Sequence, residues 1–264
     1  MVDATVSELA RRWQLTIGAP FDREDGRRAW VASATRSDGT RAVLKIAMPH
    51  FEGEHEIDGL RFWSGNPTVR LLESDDALRA MLLERCDPGS PLREIPEPEQ
   101  DLEIAKLLRR VWRSPPPDQR FRPLSAMLTL WTEEALARRD SWHDPALIDE
   151  GLRLFRELSG SSAADVLLAT DLHAGNVLRA EREPWLVIDP KPFVGDPAYD
   201  ATQHLLNCRA RLLRDPDDTI RRFAELLQVD RERVALWTFA RAAVESSPES
   251  PHPGTEALAR TLAP

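Results

Sequence analysis

The residues best suited to chemistry lie in one stretch, Asp171-Leu172-His173-Ala174-Gly175-Asn176, followed by Ile188-Asp189-Pro190. Apolar runs lead into both aspartates, VLLAT before Asp171 and WLVI before Asp189, so each is expected at a strand end facing a cleft. Asp171 and Asn176 are five positions apart, and Asp189 follows Asn176 by 13. A carboxylate at such a place can orient a hydroxyl and take its proton. An amide oxygen and a second carboxylate are hard donors of the kind magnesium prefers. Together the three fit phosphoryl transfer from magnesium-bound ATP, with Asp171 as base and Asn176 and Asp189 as metal ligands. His173 and Gly175 read as residues that shape the loop.

Two other readings use the same residues. Asp, His and Asn also favour turns, so one such spacing alone would be a loop signature. A metal hydrolase would also use Asp171, His173 and Asp189, but His143, His204 and His252 have no ligand-like spacing relative to them. Upstream residues tip the balance. Lys45 lies inside the apolar run VLKI, where an ammonium is costly unless it is paired. A lysine so placed can contact the α- and β-phosphates and pair with a glutamate on the next helix. Glu56 is the chosen partner, with Glu52 and Glu54 as rivals. The segment Gly18-Ala-Pro-Phe-Asp-Arg-Glu-Asp-Gly26 has only two glycines and is a poor phosphate cradle by itself. Glu84-Arg85-Cys86 is expected to be the hinge whose backbone binds adenine, which makes Glu84 and Cys86 cofactor-binding candidates.

These residues need a scaffold. Trp30–Thr35 and Arg41–Met48 read as strands across an Asp38-Gly39 turn, followed by a helix over Glu52–Trp63 and strands at Val69–Leu72 and Ala80–Glu84. Beyond Gly89 the texture turns helical: Ile104, Leu107, Leu108, Val111 and Trp112 form one apolar stripe. Ile148, Gly151, Leu152 and Phe155 repeat the spacing, as do Ile220, Phe223, Ala224 and Leu227. Between the helices, 166–170, 176–180 and 185–189 read as one compact β segment. The fold class is therefore α+β. It has a small β-rich N-terminal lobe with one helix, residues 1–84, that binds nucleotide, and a larger, mainly helical C-terminal lobe, 85–264, for catalysis and substrate. The tail past Ser246 is rich in proline and serine until a short final helix-like piece, and reads as peripheral.

Composition excludes several classes. The net charge of −9 disfavours nucleic acid, and no apolar run is long enough to span a membrane. The start, MVDATVSELARRW, lacks the pattern of a secretory signal. Two cysteines, Cys86 and Cys208, are too few for a disulfide framework and suit reduced thiols in a cytoplasmic protein.

With these motifs in place, the chain resembles the aminoglycoside phosphotransferases, in particular the streptomycin 6-kinase and hydroxyurea phosphotransferase branch. The carriers are GAPFDREDGRRAWVASATRSDGTRAVLKIA, HEIDGLRFW, MLLERCDPGSPL and LLATDLHAGNVLRAEREPWLVIDPKPFVGDPAYD with the HLLNC that follows. The resemblance implies a protein-kinase-like fold and ATP- and Mg2+-dependent phosphorylation of a small-molecule hydroxyl. It makes Asp171 the base, Asn176 and Asp189 the magnesium ligands, and Lys45 with Glu56 the phosphate-positioning pair. Asp196 matches the family's structural aspartate bracing the catalytic loop, while Asp200 either braces the same helix or faces substrate. The usual family loop begins His-Gly-Asp, whereas Ala169-Thr170 precede Asp171 here.

The implied acceptor is a cationic aminoglycoside such as streptomycin, as in antibiotic resistance. Alternatives are a metabolic kinase of an amino sugar or small alcohol, a hydroxyurea phosphotransferase, and a catalytically silent nucleotide-binding regulator. Glu133, Glu134, Asp140, Asp144 and Glu245 are candidate contacts for an amino or guanidino group, Glu245 foremost. Trp131, Trp142 and Trp237 suit sugar stacking or core packing.

Overall fold

The computed structural model describes residues 2–21, 28–118, 121–246 and 254–264. The segment Gly18–Gly26 therefore falls partly outside the described residues, as do residues 247–253 of the tail, whereas the rest of the tail, 254–264, is described and buries Leu258 and Ala259. The chain divides into two compact units, Met1–Glu94 with Gly175–Lys191, and Ile95–Ala174 with Pro192–Pro264.

The first unit is built on an antiparallel sheet of β1 (Leu15–Pro20), β2 (Ala29–Arg36), β3 (Arg41–Ala47), β4 (Leu71–Asp75) and β5 (Ala80–Glu84), in the order β1-β2-β3-β5-β4. A helix, α1 (Val2–Arg12), precedes it, and α2 (Glu56–Trp63) is inserted after β3. Alternation along the strands sorts side chains between two cores. Ala42, Leu44, Ala80 and Leu82 pack with Leu9 of α1. Val43, Met81 and Leu83 pack on the opposite core with Leu60 of α2. Lys45, one residue beyond Leu44, thus faces the α2 side.

Residues 175–191 belong to this unit for a hydrogen-bonding reason. Val177–Arg179 and Trp185–Val187 form a hairpin, and Val69 N–H donates to Val187 O at 3.0 Å while Val187 N–H donates to Pro67 O at 3.1 Å. Arg179 exchanges backbone bonds with Gly89 and Ser90 at 3.1 and 2.9 Å. The run past β5 to Glu94 therefore stays with the first unit.

The second unit contains α3 (Glu97–Val111), α4 (Leu124–Ala137), α5 (Pro145–Ser159), α6 (Pro197–Asn207), α7 (Arg209–Arg214), α8 (Pro216–Leu227), α9 (Arg231–Val244) and α10 (Thr255–Leu262). Its centre is α9, buried along most of its length. Gly151 lets α5 approach α9 closely, since a Cβ there would stand 3.0 Å from Ala240 O and 2.9 Å from Ala243 Cβ. The expected single β segment is split. Val166–Leu168 pairs antiparallel with Phe193–Gly195 in this unit, while the other two stretches form the hairpin of the first. Among the described residues, no helix is long and apolar enough to cross a membrane.

Candidate active site

In the first unit, Lys45 Nζ donates to Glu56 Oε1 and Oε2 at 2.6 and 2.7 Å and to Asp189 Oδ1 at 2.5 Å. The choice among three glutamates follows from helix geometry. Glu56, Leu60 and Trp63 lie on one buried face of α2. Glu52 pairs instead with Arg28 at 3.1 Å, and Glu54 is exposed. The Lys45 side chain is 7% exposed. Burial alone would lower its pKa, but the carboxylates of Glu56 and Asp189 outweigh this and hold it above the ordinary lysine value.

Asp189 has a second cationic neighbour: Lys191 Nζ donates to the same Oδ1 at 2.8 Å. Burial pushes the Asp189 carboxyl upward, yet Lys45 and Lys191 together hold it well below the usual range. It stands in the left-handed region at φ 54°, where a short polar side chain is tolerated. Asn176 is placed by the hairpin register. Val177 faces Val187, and Ile188 N–H donates to Asn176 O at 2.9 Å. Asn176 and Asp189 therefore sit at the same end of one hairpin. An amide oxygen and an ionised carboxylate there form a hard-oxygen donor set suited to magnesium.

Glu84 closes β5. Its N–H donates to Arg70 O, and its carboxylate receives a fork from Arg182, Nε to Oε1 and Nη2 to Oε2, both at 2.8 Å. Burial would raise the Glu84 pKa, but Arg182 and the Arg70 N–H lower it overall. Cys86 lies two residues on, its thiol pushed up to about 12 chiefly by burial, which disfavours the thiolate.

In the second unit, Asp171 follows the Val166–Leu168 strand, and Gln203 Nε2 of α6 donates to its Oδ1 at 2.9 Å. The two residues before it are gripped from the same helix. Asp200 accepts the N–H of Ala169 at 2.9 Å and of Thr170 at 2.7 Å, and the Trp112 indole N–H at 3.0 Å. Asp200 is 1% exposed, and burial pushes its pKa up to about 6 against the pull of these donors and Arg241. A carboxylate so enclosed is engaged by the loop's own N–H groups and the Trp112 indole, where a contact with substrate is the sequence-based expectation. The bracing role expected of Asp196 is likewise displaced. Asp196 caps α6 through Ala198 N–H at 2.9 Å and accepts from Arg233 and from the Trp237 indole.

Thr170 explains why the departure from His-Gly-Asp matters. Its φ is 46°, a region costly for a β-branched residue and natural for glycine. Glu245 caps the end of α9, about a quarter exposed, with Oε1 accepting from Arg241 at 3.0 Å. Arg241 is buried, stacked over Trp131 and Tyr199, and bonded to Thr202 Oγ1 at 2.8 Å. Asp144 caps α5 and pairs with Arg260. Trp237 is fully buried and belongs to the core, and Trp142 is also buried.

Gln203 and Lys191 were not singled out by sequence, although Lys191 lies two residues past Asp189. Asp101, His204 and Cys208 also cluster, but Arg211 donates to both Asp101 oxygens at 2.7 Å and burial pushes the Cys208 thiol up to about 12. That arrangement is a buried ion-pair network with its cation already supplied.

Residues 12–249 match the aminoglycoside/hydroxyurea antibiotic resistance kinases. The chain belongs to this family. It is 38% identical over 248 residues to a streptomycin 6-kinase of Streptomyces glaucescens, covering 90% of this chain and 80% of that protein. It is 36% identical over 242 residues to a hydroxyurea phosphotransferase of Kitasatospora aureofaciens, covering 89% and 69%. A choline kinase from Cryptosporidium parvum superposes with a TM-score of 0.65 at 14% identity, over 98% of this chain and 89% of that one. The fold of this family member is thus protein-kinase-like, and the chain is a phosphotransferase of the kinase class.

Proposed function

We propose that this kinase transfers the γ-phosphoryl group of ATP to a hydroxyl of streptomycin, inactivating the antibiotic. The similarity to streptomycin 6-kinases over 90% of the chain carries the reading, and the Lys45–Glu56 pair and the held Asp171 support it. Lys45, fixed by Glu56, neutralises the α- and β-phosphates. Asn176 and Asp189 hold magnesium, which screens the triphosphate charge. Backbone groups of Glu84–Cys86 receive the adenine. Asp171 orients the acceptor hydroxyl and takes its proton as the O–P bond forms and ADP departs. Glu245, partly exposed, is assigned to a cationic group of the acceptor.

Hydroxyurea is the second acceptor, favoured by the 36% identical relative. The test measures magnesium-dependent ADP release against streptomycin, other aminoglycosides, amino sugars and hydroxyurea, with Asp171→Ala as control. Turnover on streptomycin that disappears in the control supports the proposal. Turnover confined to an amino sugar or small alcohol replaces it with a metabolic role. ATP binding without turnover on any acceptor points to a regulatory protein.

A further inference from the structure

We propose that Gln203 is a positioning residue for phosphoryl transfer, orienting the Asp171 carboxylate through a neutral hydrogen bond. The inference rests on the assignment of Asp171 as the base.

The geometry begins with α6, an anchored helix. Asp196 caps its first turn and is itself held by Arg233 and Trp237. From this fixed element two side chains one helical turn apart reach the same loop. Asp200 holds the backbone at Ala169 and Thr170, and Gln203 holds the side chain of Asp171. Bracing the backbone leaves two side-chain torsions of an aspartate to settle. The 2.9 Å bond from Gln203 Nε2 anchors Oδ1 and so narrows the range of both torsions.

The residue type matters as much as its place. A lysine or arginine at hydrogen-bond distance would stabilise the ionised carboxylate and depress its basicity. A carboxylate there would repel it and favour a shared proton. An amide does neither, so it orients the base and leaves its proton affinity largely alone. Among charged groups, Arg241 also acts on the Asp171 carboxylate through space, a contribution set by the fold and not by the residue at 203. Arg241 of α9 bonds Thr202 and Glu245, and Asp200 is taken by the loop and Trp112.

The test compares Gln203→Ala and the nearly isosteric Gln203→Glu with the parent chain, using MgATP with streptomycin and, separately, hydroxyurea. For Gln203→Ala, kcat is expected to fall ~10–100-fold, with KM for ATP within about twofold and the melting temperature within a few degrees. For Gln203→Glu, the acid limb of the kcat/KM profile is expected to move up by at least about one pH unit, because paired carboxylates share a proton. Unchanged kcat in Gln203→Ala, or an unmoved acid limb in Gln203→Glu, overturns the proposal. Asp171→Ala separates the two failures. If it is inactive while Gln203→Ala turns over normally, the base assignment stands and the positioning role falls. If it remains active, the base assignment itself falls.

Discussion

Asp200 holds Thr170 in a conformation that threonine alone would not choose. Its Oδ1 accepts the Thr170 N–H at 2.7 Å while the residue stands at φ 46°. Left-handed backbone costs a non-glycine residue about 1–2 kcal/mol, and more burden falls on a β-branched one. The buried carboxylate offsets that cost and sets the path of the chain into Asp171. We expect Asp200→Ala to lower stability by roughly 2–4 kcal/mol, since it strands two backbone donors and an indole. Thr170→Gly should stay within about 1 kcal/mol of the parent, relief of strain being offset by the freedom of glycine in the unfolded chain. In the Thr170→Gly background, Asp200→Ala should cost less by at least about 0.5 kcal/mol. Denaturant unfolding of the four proteins checks this; strict additivity would mean that the grip and the strain are unrelated.

The same carboxylate gives a pH signature. Burial raises the Asp200 pKa to about 6 from its ordinary 3.8. The folded state therefore binds this proton more tightly than the unfolded chain does. Its stabilising contribution is complete below about pH 4 and is lost as pH rises through about 6, amounting to ~3 kcal/mol at 1.36 kcal/mol per unit. Asp189 acts in the opposite sense, because its depressed pKa adds stability that disappears as pH falls. Removing the Asp200 proton with Asp200→Asn should abolish the first component alone. The stability of the parent minus that of Asp200→Asn should fall as pH rises from 4 to 7. A flat difference would mean that Asp200 titrates normally.

The lobes, the Lys45–Glu56 pair and the DLHAGN loop were legible because each is local: an alternating strand, one helical face, or a spacing within a few residues. The brace was not. Asp196 and Asp200 are both aspartates of one motif, and only the fold shows which meets backbone N–H groups 30 residues earlier. Gln203 and Lys191 escaped for a related reason, since a lone glutamine or lysine becomes meaningful only through what it touches. The pairing of Val166–Leu168 with Phe193–Gly195 passed over two intervening strands, a non-local choice that alternation cannot encode.

Lys45 sits between two carboxylates, and the consequences of removing each member differ. Lys45→Ala leaves Glu56 and Asp189 without this shared ammonium in a dry setting, so we expect a loss of roughly 3–5 kcal/mol. Glu56→Gln retains the Lys45–Asp189 contact and should lose less, about 1–2 kcal/mol. Both should weaken binding of a non-hydrolysable ATP analogue, at least tenfold for Lys45→Ala by analogy with loss of one charged contact. Asp189→Asn should raise the magnesium concentration needed for half-maximal turnover. Calorimetry and a magnesium titration provide the readouts; equal affinity and equal magnesium demand in all variants would remove these residues from the nucleotide site.

The fork from Arg182 to Glu84 joins the end of β5 to the hairpin that holds Asn176 and Asp189 at one end. Arg182 also donates to Thr68 O at 3.0 Å, tightening the strip where Val69 and Val187 pair. Arg182→Ala should therefore cost about 1–3 kcal/mol and raise the Glu84 pKa, since burial would then act without its main counterweight. Arg182→Lys should rescue only part, because an ammonium cannot form two parallel bonds to one carboxylate. The loss should be local first. Hydrogen exchange at the Val69 and Val187 amides should quicken in Arg182→Ala before that of Leu44 or Leu82 in the sheet centre. Uniform acceleration across the unit would show that the fork stabilises the sheet as a whole, and unchanged exchange would show that it contributes nothing to holding the hairpin.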